Sequence, residues 1–269
     1  MKLSEFAKNI LLGDKIEDKL LAVEITEFDS VDFSVPNEPS RSGKLEFSEK
    51  QMRFPKGHFH LKEKRAMALN SFANHELLAI EMMACALLVY PHHTDELVRF
   101  KRGIINSLKD EQKHFSLYAN RMNDMGYEFG DFELNHFFWR QMEKMKTPSE
   151  YLSVMALTFE AANLDFAHFY DRVFREEGDL KTANILKVVY EDEISHVNLG
   201  VHYLNLWKKD KSLWDYYQSC LPFPLNPARS KGKVFVKEAR QKAKMESDFI
   251  QNLENYQSDF QIVQRREWK

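Results

Sequence analysis

The word Asp-Glu-x-x-His occurs twice in this chain, as Asp110-Glu111-Gln112-Lys113-His114 and as Asp192-Glu193-Ile194-Ser195-His196. Both copies lie in stretches with a helical period. Glu and His at i and i+3 leave a helix on one face. Each word continues an apolar stripe: Ile104, Leu108, Glu111, Phe115, Tyr118 and Met122 in one, and Leu186, Val189, Glu193, His196, Gly200 and Tyr203 in the other. Glu111 and Glu193 are therefore expected to be buried. A buried carboxylate is costly unless a metal, a counter-charge or a shifted pKa compensates it. Two Glu-x-x-His pairs plus two further single glutamates make the six-ligand set of a di-iron or di-manganese carboxylate bundle.

The single glutamates emerge when the two words are aligned. Upstream of the first stands His75-Glu76-Leu77-Leu78-Ala79-Ile80-Glu81, and upstream of the second Phe159-Glu160-Ala161-Ala162-Asn163-Leu164-Asp165. Glu76 matches Glu160, and Glu81 matches Asp165. From Glu76 to Glu111 is 35 residues and from Glu160 to Glu193 is 33, enough for one helix down, a turn and a helix back to the same depth. The expected metal ligands are Glu76, Glu111, His114, Glu160, Glu193 and His196. Glu81 is the alternative to Glu76 on its helix; otherwise Glu81 and Asp165 are expected around the site rather than on the metals. A metal-bound His usually donates its other N–H to a carboxylate. Asp192 is expected to serve His114, and Asp110 to serve His196. Buried salt bridges to Arg65, Lys113 or Arg172 are the metal-free alternative.

Carboxylate-rich ligation with one imidazole per ion suits iron or manganese. Two metal ions are expected, with iron foremost, as Fe/Fe or Mn/Fe. Asn163, His168, Tyr118 and Tyr190 are candidates to line a pocket beside them. His168 stands eight residues after Glu160, about 80° further round the helix. The ordinary reading of all four is packed core.

The fold expected is all-α. Glycine (9) and proline (8) are scarce in 269 residues, which favours long helices. Four long helical segments are expected near 60–90, 93–125, 147–178 and 180–208. Pro91 and Gly126 mark two ends, and Thr147-Pro148-Ser149-Glu150 marks a start. The connections within each pair are short, and the one between the pairs (126–147) is long. That is the pattern of a ferritin-like four-helix bundle, two antiparallel hairpins with a long crossover. Residues 1–57 read as N-terminal helices (3–23) and an extended arm on the bundle, with disorder as the arm's alternative. Residues 58–209 read as the di-metal bundle. Residues 210–269 read as a C-terminal helical extension, with a short helix at 212–219 and a basic helix near 233–256. The basic run from Arg229 to Lys244 reads as a solvated face or a contact for an anionic substrate. His92 and His93 read as exposed loop residues.

Other classes fit less well. A net charge of −3 offers no field for nucleic acid. Cys85 and Cys220 form no redox or zinc spacing. The N-terminus lacks a signal-peptide pattern, and Glu81 interrupts the most apolar run. A cytoplasmic protein without a membrane span is expected.

The stretches FANHELLAIE, DEQKHF, FEAANLDFAHFYDRVFREEGD and YEDEISHVNLGV resemble the ferritin-like DUF455 family, a bacterial group of unknown function. The resemblance extends to ARQKAKMESDFI in the tail. At greater distance the pattern is similar to tRNA hydroxylases of the MiaE type and to other di-iron carboxylate oxygenases. Two positions depart from the expected pattern: His75 stands for an apolar residue and Asn74 for a histidine. The resemblance implies a ferritin-like bundle with the six ligands named above, and no particular substrate.

The expected activity is that of a non-haem di-iron (or Fe/Mn) oxidoreductase. It would use O2 to hydroxylate, desaturate or N-oxygenate a small molecule. No flavin or nicotinamide fingerprint is visible, so an external electron donor is expected. A tRNA substrate and a homodimer stay open. The alternatives are a ferroxidase-type metal-handling protein and a metal-free interaction protein. Native mass would separate a storage cage from an enzyme, and metal analysis would separate the last.

Overall fold

The structure is a computed structural model that describes residues 1–49 and 54–258. Part of the expected arm (50–53) and the end of the C-terminal extension (259–269) lie outside the described residues. The described residues form helices and connections, with no β-strand among them; a single parallel bridge joins Lys2 to Glu27. The chain divides into two compact units, Met1–Lys144 and Met145–Lys269, so the division falls within the 58–209 segment.

The first unit is built on a hairpin of α3 (Lys62–Val89) and α4 (Asp95–Asn123), which pack on each other. Helix α3 stops two residues before Pro91, as a following proline requires. Helix α4 starts on Thr94, whose hydroxyl accepts the Leu97 N–H at 3.2 Å. Between them, Lys101 is buried and its Nζ donates to the Leu87 carbonyl at 2.7 Å, capping the end of α3. It also meets His92 Nδ1 at 2.8 Å, and His92 Nε2 meets Ser30 Oγ at 3.3 Å. His92 is thus half-buried and engaged rather than an exposed loop residue, while His93 is exposed.

By length and composition α3 could cross a membrane, but 83% of its most apolar window is buried within the protein. The buried positions include Asn70, Asn74, Glu76 and Glu81, which identifies a core helix. Helix α1 (Leu3–Leu12) packs Leu3, Phe6, Ala7, Ile10 and Leu11 inward against α3, and the short α2 (Ile16–Lys19) follows. From there to residue 49 the chain is extended apart from one 3-10 turn at Gly43–Leu45. Trp139 fixes this arm: its Nε1 donates to the Asn37 carbonyl at 2.8 Å from the connection after α4.

The second unit begins with the expected capping box. Thr147 Oγ1 accepts from the Glu150 N–H, and the Glu150 carboxylate accepts the Thr147 N–H at 2.9 Å. Helix α5 (Pro148–Val154) then runs into a π-helical segment, Met155–Glu160, before α6 (Ala161–Glu176). The single helix expected over 147–178 is therefore continuous in path but not in hydrogen bonding. Thr158 helps to hold the π segment: its hydroxyl reaches the Ser153 carbonyl at 2.8 Å and the Tyr217 hydroxyl at 2.9 Å.

Gly178, with φ +75, closes α6, and Asp179 accepts the Thr182 N–H at the start of α7 (Leu180–Trp207). A left-handed residue after a helix is cheapest as glycine. Helices α6 and α7 pack as the second hairpin. Helix α8 (Leu213–Cys220) lies where the sequence places it. The expected basic helix over 233–256 is instead two, α9 (Lys237–Lys242) and α10 (Ser247–Asn255). Lys244 stands between them with φ +60, a conformation that no helix interior accepts.

Candidate metal centre

Each unit carries one buried triad. In the first, α3 supplies Glu76 while α4 supplies Glu111 and His114, which are 5%, 1% and 0% exposed. In the second, the end of the π segment supplies Glu160 while α7 supplies Glu193 and His196, at 7%, 1% and 2%. Within either triad, one ligand-type atom per residue lies within 4.8 Å of the others. Bonds of about 2.0–2.2 Å to a shared ion would place such atoms at most about 4.4 Å apart. Each triad thus stands close to the size of a coordination shell. Its donor set, two carboxylates and one imidazole, fits iron or manganese.

The two histidines are oriented alike. His114 Nδ1 lies 3.7 Å from Glu111 Oε2, and His196 Nδ1 lies 3.4 Å from Glu193 Oε2. In both cases Nδ1 points toward the glutamate one helical turn earlier, leaving Nε2 for an outer partner. Glu193 is held on its other side, where Asn163 Nδ2 donates to Oε1 at 2.8 Å. Its Oε2 is buried without a hydrogen bond. Every member of the two apolar stripes that carry these residues is buried.

Glu81 and Asp165 are placed differently. Glu81 is fully buried and both its oxygens meet cations: Lys19 Nζ at 3.0 Å, and Arg41 through Nε at 3.0 Å and Nη2 at 2.7 Å. Burial pulls the Lys19 ammonium below its ordinary range, and Glu81 opposes that shift. Glu76 therefore sits in the α3–α4 triad, while Glu81 belongs to an ion cluster with the arm. Asp165 is matched by Arg240, which donates through Nη1 at 2.7 Å and Nη2 at 2.9 Å. It also accepts backbone N–H groups from Gly232 at 2.9 Å and Val236 at 2.8 Å.

Arg240 is thus no part of a solvated basic face. It is fully buried and also donates to the carbonyls of Ala161 and Ser230. Lys113, one of the cations of the metal-free alternative, lies 3.5 Å from Asp110 at the surface. No local sequence signal could have found Arg41 or Arg240, because they lie 40 and 75 residues from their partners.

Asp110 and Asp192 are half-buried, as are Asn163, His168 and Tyr190, whereas Tyr118 is buried. The rings of His168 and Tyr190 lie 5.7 Å apart, and those of Tyr118 and Phe72 5.6 Å apart. His75 stacks on Phe138 at 4.7 Å, and burial pushes its pKa down to about 4, so it is neutral near pH 7. Asn74 donates to the Asn135 carbonyl at 2.9 Å and accepts from Arg41 at 3.1 Å. That is a bracing role for the position where a histidine is expected.

No solved structure matches the chain. An uncharacterised protein of Haemophilus influenzae is 26% identical over 164 residues, covering 59% of this chain and 57% of its own length. The chain therefore spans little more than half of that relative. A family model described as "Protein of unknown function (DUF455)" matches residues 4–251, nearly the whole chain, and the protein belongs to that family.

Proposed function

We propose that the protein is a ferritin-like, non-haem di-iron (or Fe/Mn) carboxylate oxidoreductase in which each triad serves one of two metal ions. The observation that carries this reading is the recurrence, in both units, of a buried Glu/Glu/His triad on the same repeat positions. Three carboxyl or imidazole groups brought together out of water, twice, are costly unless a cation compensates them.

In this reading Glu76, Glu111 and His114 would hold one ion, and Glu160, Glu193 and His196 would hold the other. Two such ions would supply the redox chemistry for oxidising a small substrate with O2, with two reducing equivalents from an external donor. The chain's own residues do the rest. His114 and His196 present Nδ1 beside their glutamates and would bind through it, and Asp110 and Asp192 would accept the remaining Nε2–H groups and fix the ring tautomers. Packed apolar residues around the triads keep bulk water away from the ligands. His168, Tyr190 and Asn163, all half-buried, are the side of the site open to a substrate. The working compartment in this reading is the cytoplasm.

Metal analysis of the purified full-length chain tests the proposal. Two iron or manganese ions per chain are expected, and Glu111→Ala with Glu193→Ala should remove most of that metal while the helical circular dichroism is retained. A folded wild-type chain that takes up no metal, or a double variant that keeps its full content, would sink the reading.

A further inference from the structure

Resting on that reading, we propose that Tyr217 is a positioning residue for Glu160, holding through Thr158 the widened turn on which that glutamate stands. The π segment ends at Glu160, and Thr158 is the one hydroxyl-bearing residue of Met155-Ala156-Leu157-Thr158-Phe159 that precede it. Thr158 Oγ1 lies 2.8 Å from the Ser153 carbonyl and 2.9 Å from the Tyr217 hydroxyl. A carbonyl only accepts, so the Thr158 proton goes to Ser153 and the Tyr217 hydroxyl donates to Thr158. Tyr217 in turn accepts from the Ser230 hydroxyl. Burial pushes the Tyr217 pKa up to about 12, so this donor keeps its proton near pH 7. Thr158, Tyr217 and Ser230 are each 0% exposed, so water offers none of them a substitute partner.

The grip comes from the C-terminal extension and closes on both sides of Glu160. Tyr217 lies on α8, and its ring packs on Trp214 and Phe249, with centroids 6.0 and 5.3 Å away. Its hydroxyl therefore arrives from a fixed direction. Ser230 ends a 3-10 turn, Pro227–Ser230, and its carbonyl accepts from Arg240 Nη2 at 2.8 Å. The same nitrogen donates at 3.1 Å to the carbonyl of Ala161, the residue after Glu160. Hydrogen bonds from the extension thus reach the helix just before the glutamate, at Thr158, and just after it, at Ala161. A π turn is rare and needs such support. Were the six residues to relax to α-helical pitch, Glu160 would turn relative to α5 by about 100°, the angular step of one residue. A carboxylate swung that far would no longer meet Glu193 and His196.

The experiment titrates metal-free, full-length protein with Mn(II), following free ion by electron paramagnetic resonance, and measures hydrogen exchange on the same metal-free samples. Wild type should take up two ions. Tyr217→Phe, which removes only the hydroxyl, should weaken one of the two by about 10-fold, the lower end of what losing an outer-shell partner costs. In the metal-free variant the backbone amides of residues 155–161 should exchange about 5-fold faster, the equivalent of one net hydrogen bond. Thr158→Val should do the same, and the double variant should be little worse than Thr158→Val alone, because both changes remove one contact. Thr94→Val, which removes the cap hydroxyl of α4, is the stability control and should leave both ions and those amides as in wild type. Should Tyr217→Phe fail to fold, Thr158→Val carries the same test. Two ions bound by Tyr217→Phe as tightly as by wild type, or a weakening that Thr94→Val shows equally, would overturn the inference while leaving the di-metal reading intact. A wild-type chain that binds no Mn(II) and no Fe(II) would overturn both.

Discussion

The α3–α4 hairpin and the helical hairpin that ends in α7 carry the same triad, yet they pack it in opposite ways. In the first unit the repeat positions Phe72 and Tyr118 bring two large rings together, 5.6 Å between centroids, and α3 is an unbroken α-helix of 28 residues. In the second unit the matching positions are Ala156 and Gly200. A Cβ on Gly200 would lie 2.4 Å from Ala156 Cβ and 2.5 Å from Leu157 Cδ1, so the helices touch there through small residues. Ala156 and Leu157, which meet Gly200, belong to the six-residue π segment that ends at Glu160. Single π turns inside α-helices are frequent at functional sites. One ligand geometry thus tolerates two solutions, wide spacing with a regular helix and close approach with a locally widened one.

The clamps differ as well. Glu81 is shared by two cations, whereas Asp165 has one guanidinium and two backbone donors. This sets the largest expected asymmetry. Arg240→Ala should cost about 3–5 kcal/mol in urea unfolding, because Asp165 loses its only cation among the described residues and three carbonyls lose a donor. Arg41→Ala should cost less, about 2–3 kcal/mol, since Lys19 stays within 3.0 Å of Glu81. Equal losses for the two variants would break the comparison of the clamps.

Smaller effects sharpen it. Gly200→Ala should destabilise the chain by about 1–3 kcal/mol through overpacking against Ala156 and Leu157, and a neutral outcome would deny the close approach. Thr158→Val should cost about 1 kcal/mol, the net value of the hydroxyl contacts to Ser153 and Tyr217. The readout for both is the denaturant midpoint at unchanged slope.

Much of the helical layout was legible because its signals are local. Pro91, Thr94, the Thr147–Glu150 box and Gly178 each act within a few residues. The burial of Glu111, His114, Glu193 and His196 followed from their place in apolar stripes. The π segment was not legible, because Met155-Ala156-Leu157-Thr158-Phe159 is almost uniformly apolar and carries no period to mark a change of pitch. The break at Lys244 was hidden in a basic run that looks helical throughout. The partners of Glu81 and Asp165 escaped because ion pairs across 40 and 75 residues depend on how arm and tail fold back. Glu76 was separable from Glu81 only once Arg41 and Lys19 were seen to occupy the latter.

The position of each clamp along the chain has a consequence for biosynthesis. Arg41 and Lys19 precede Glu81, so the first unit's carboxylate emerges from the ribosome with both counter-charges already made. Asp165 precedes Arg240 by 75 residues, which at about 5–20 residues per second means waiting roughly 4–15 s for its guanidinium. The nascent first unit can complete its ion cluster while translation continues, whereas the second stays open at Asp165 until Arg240 has been made.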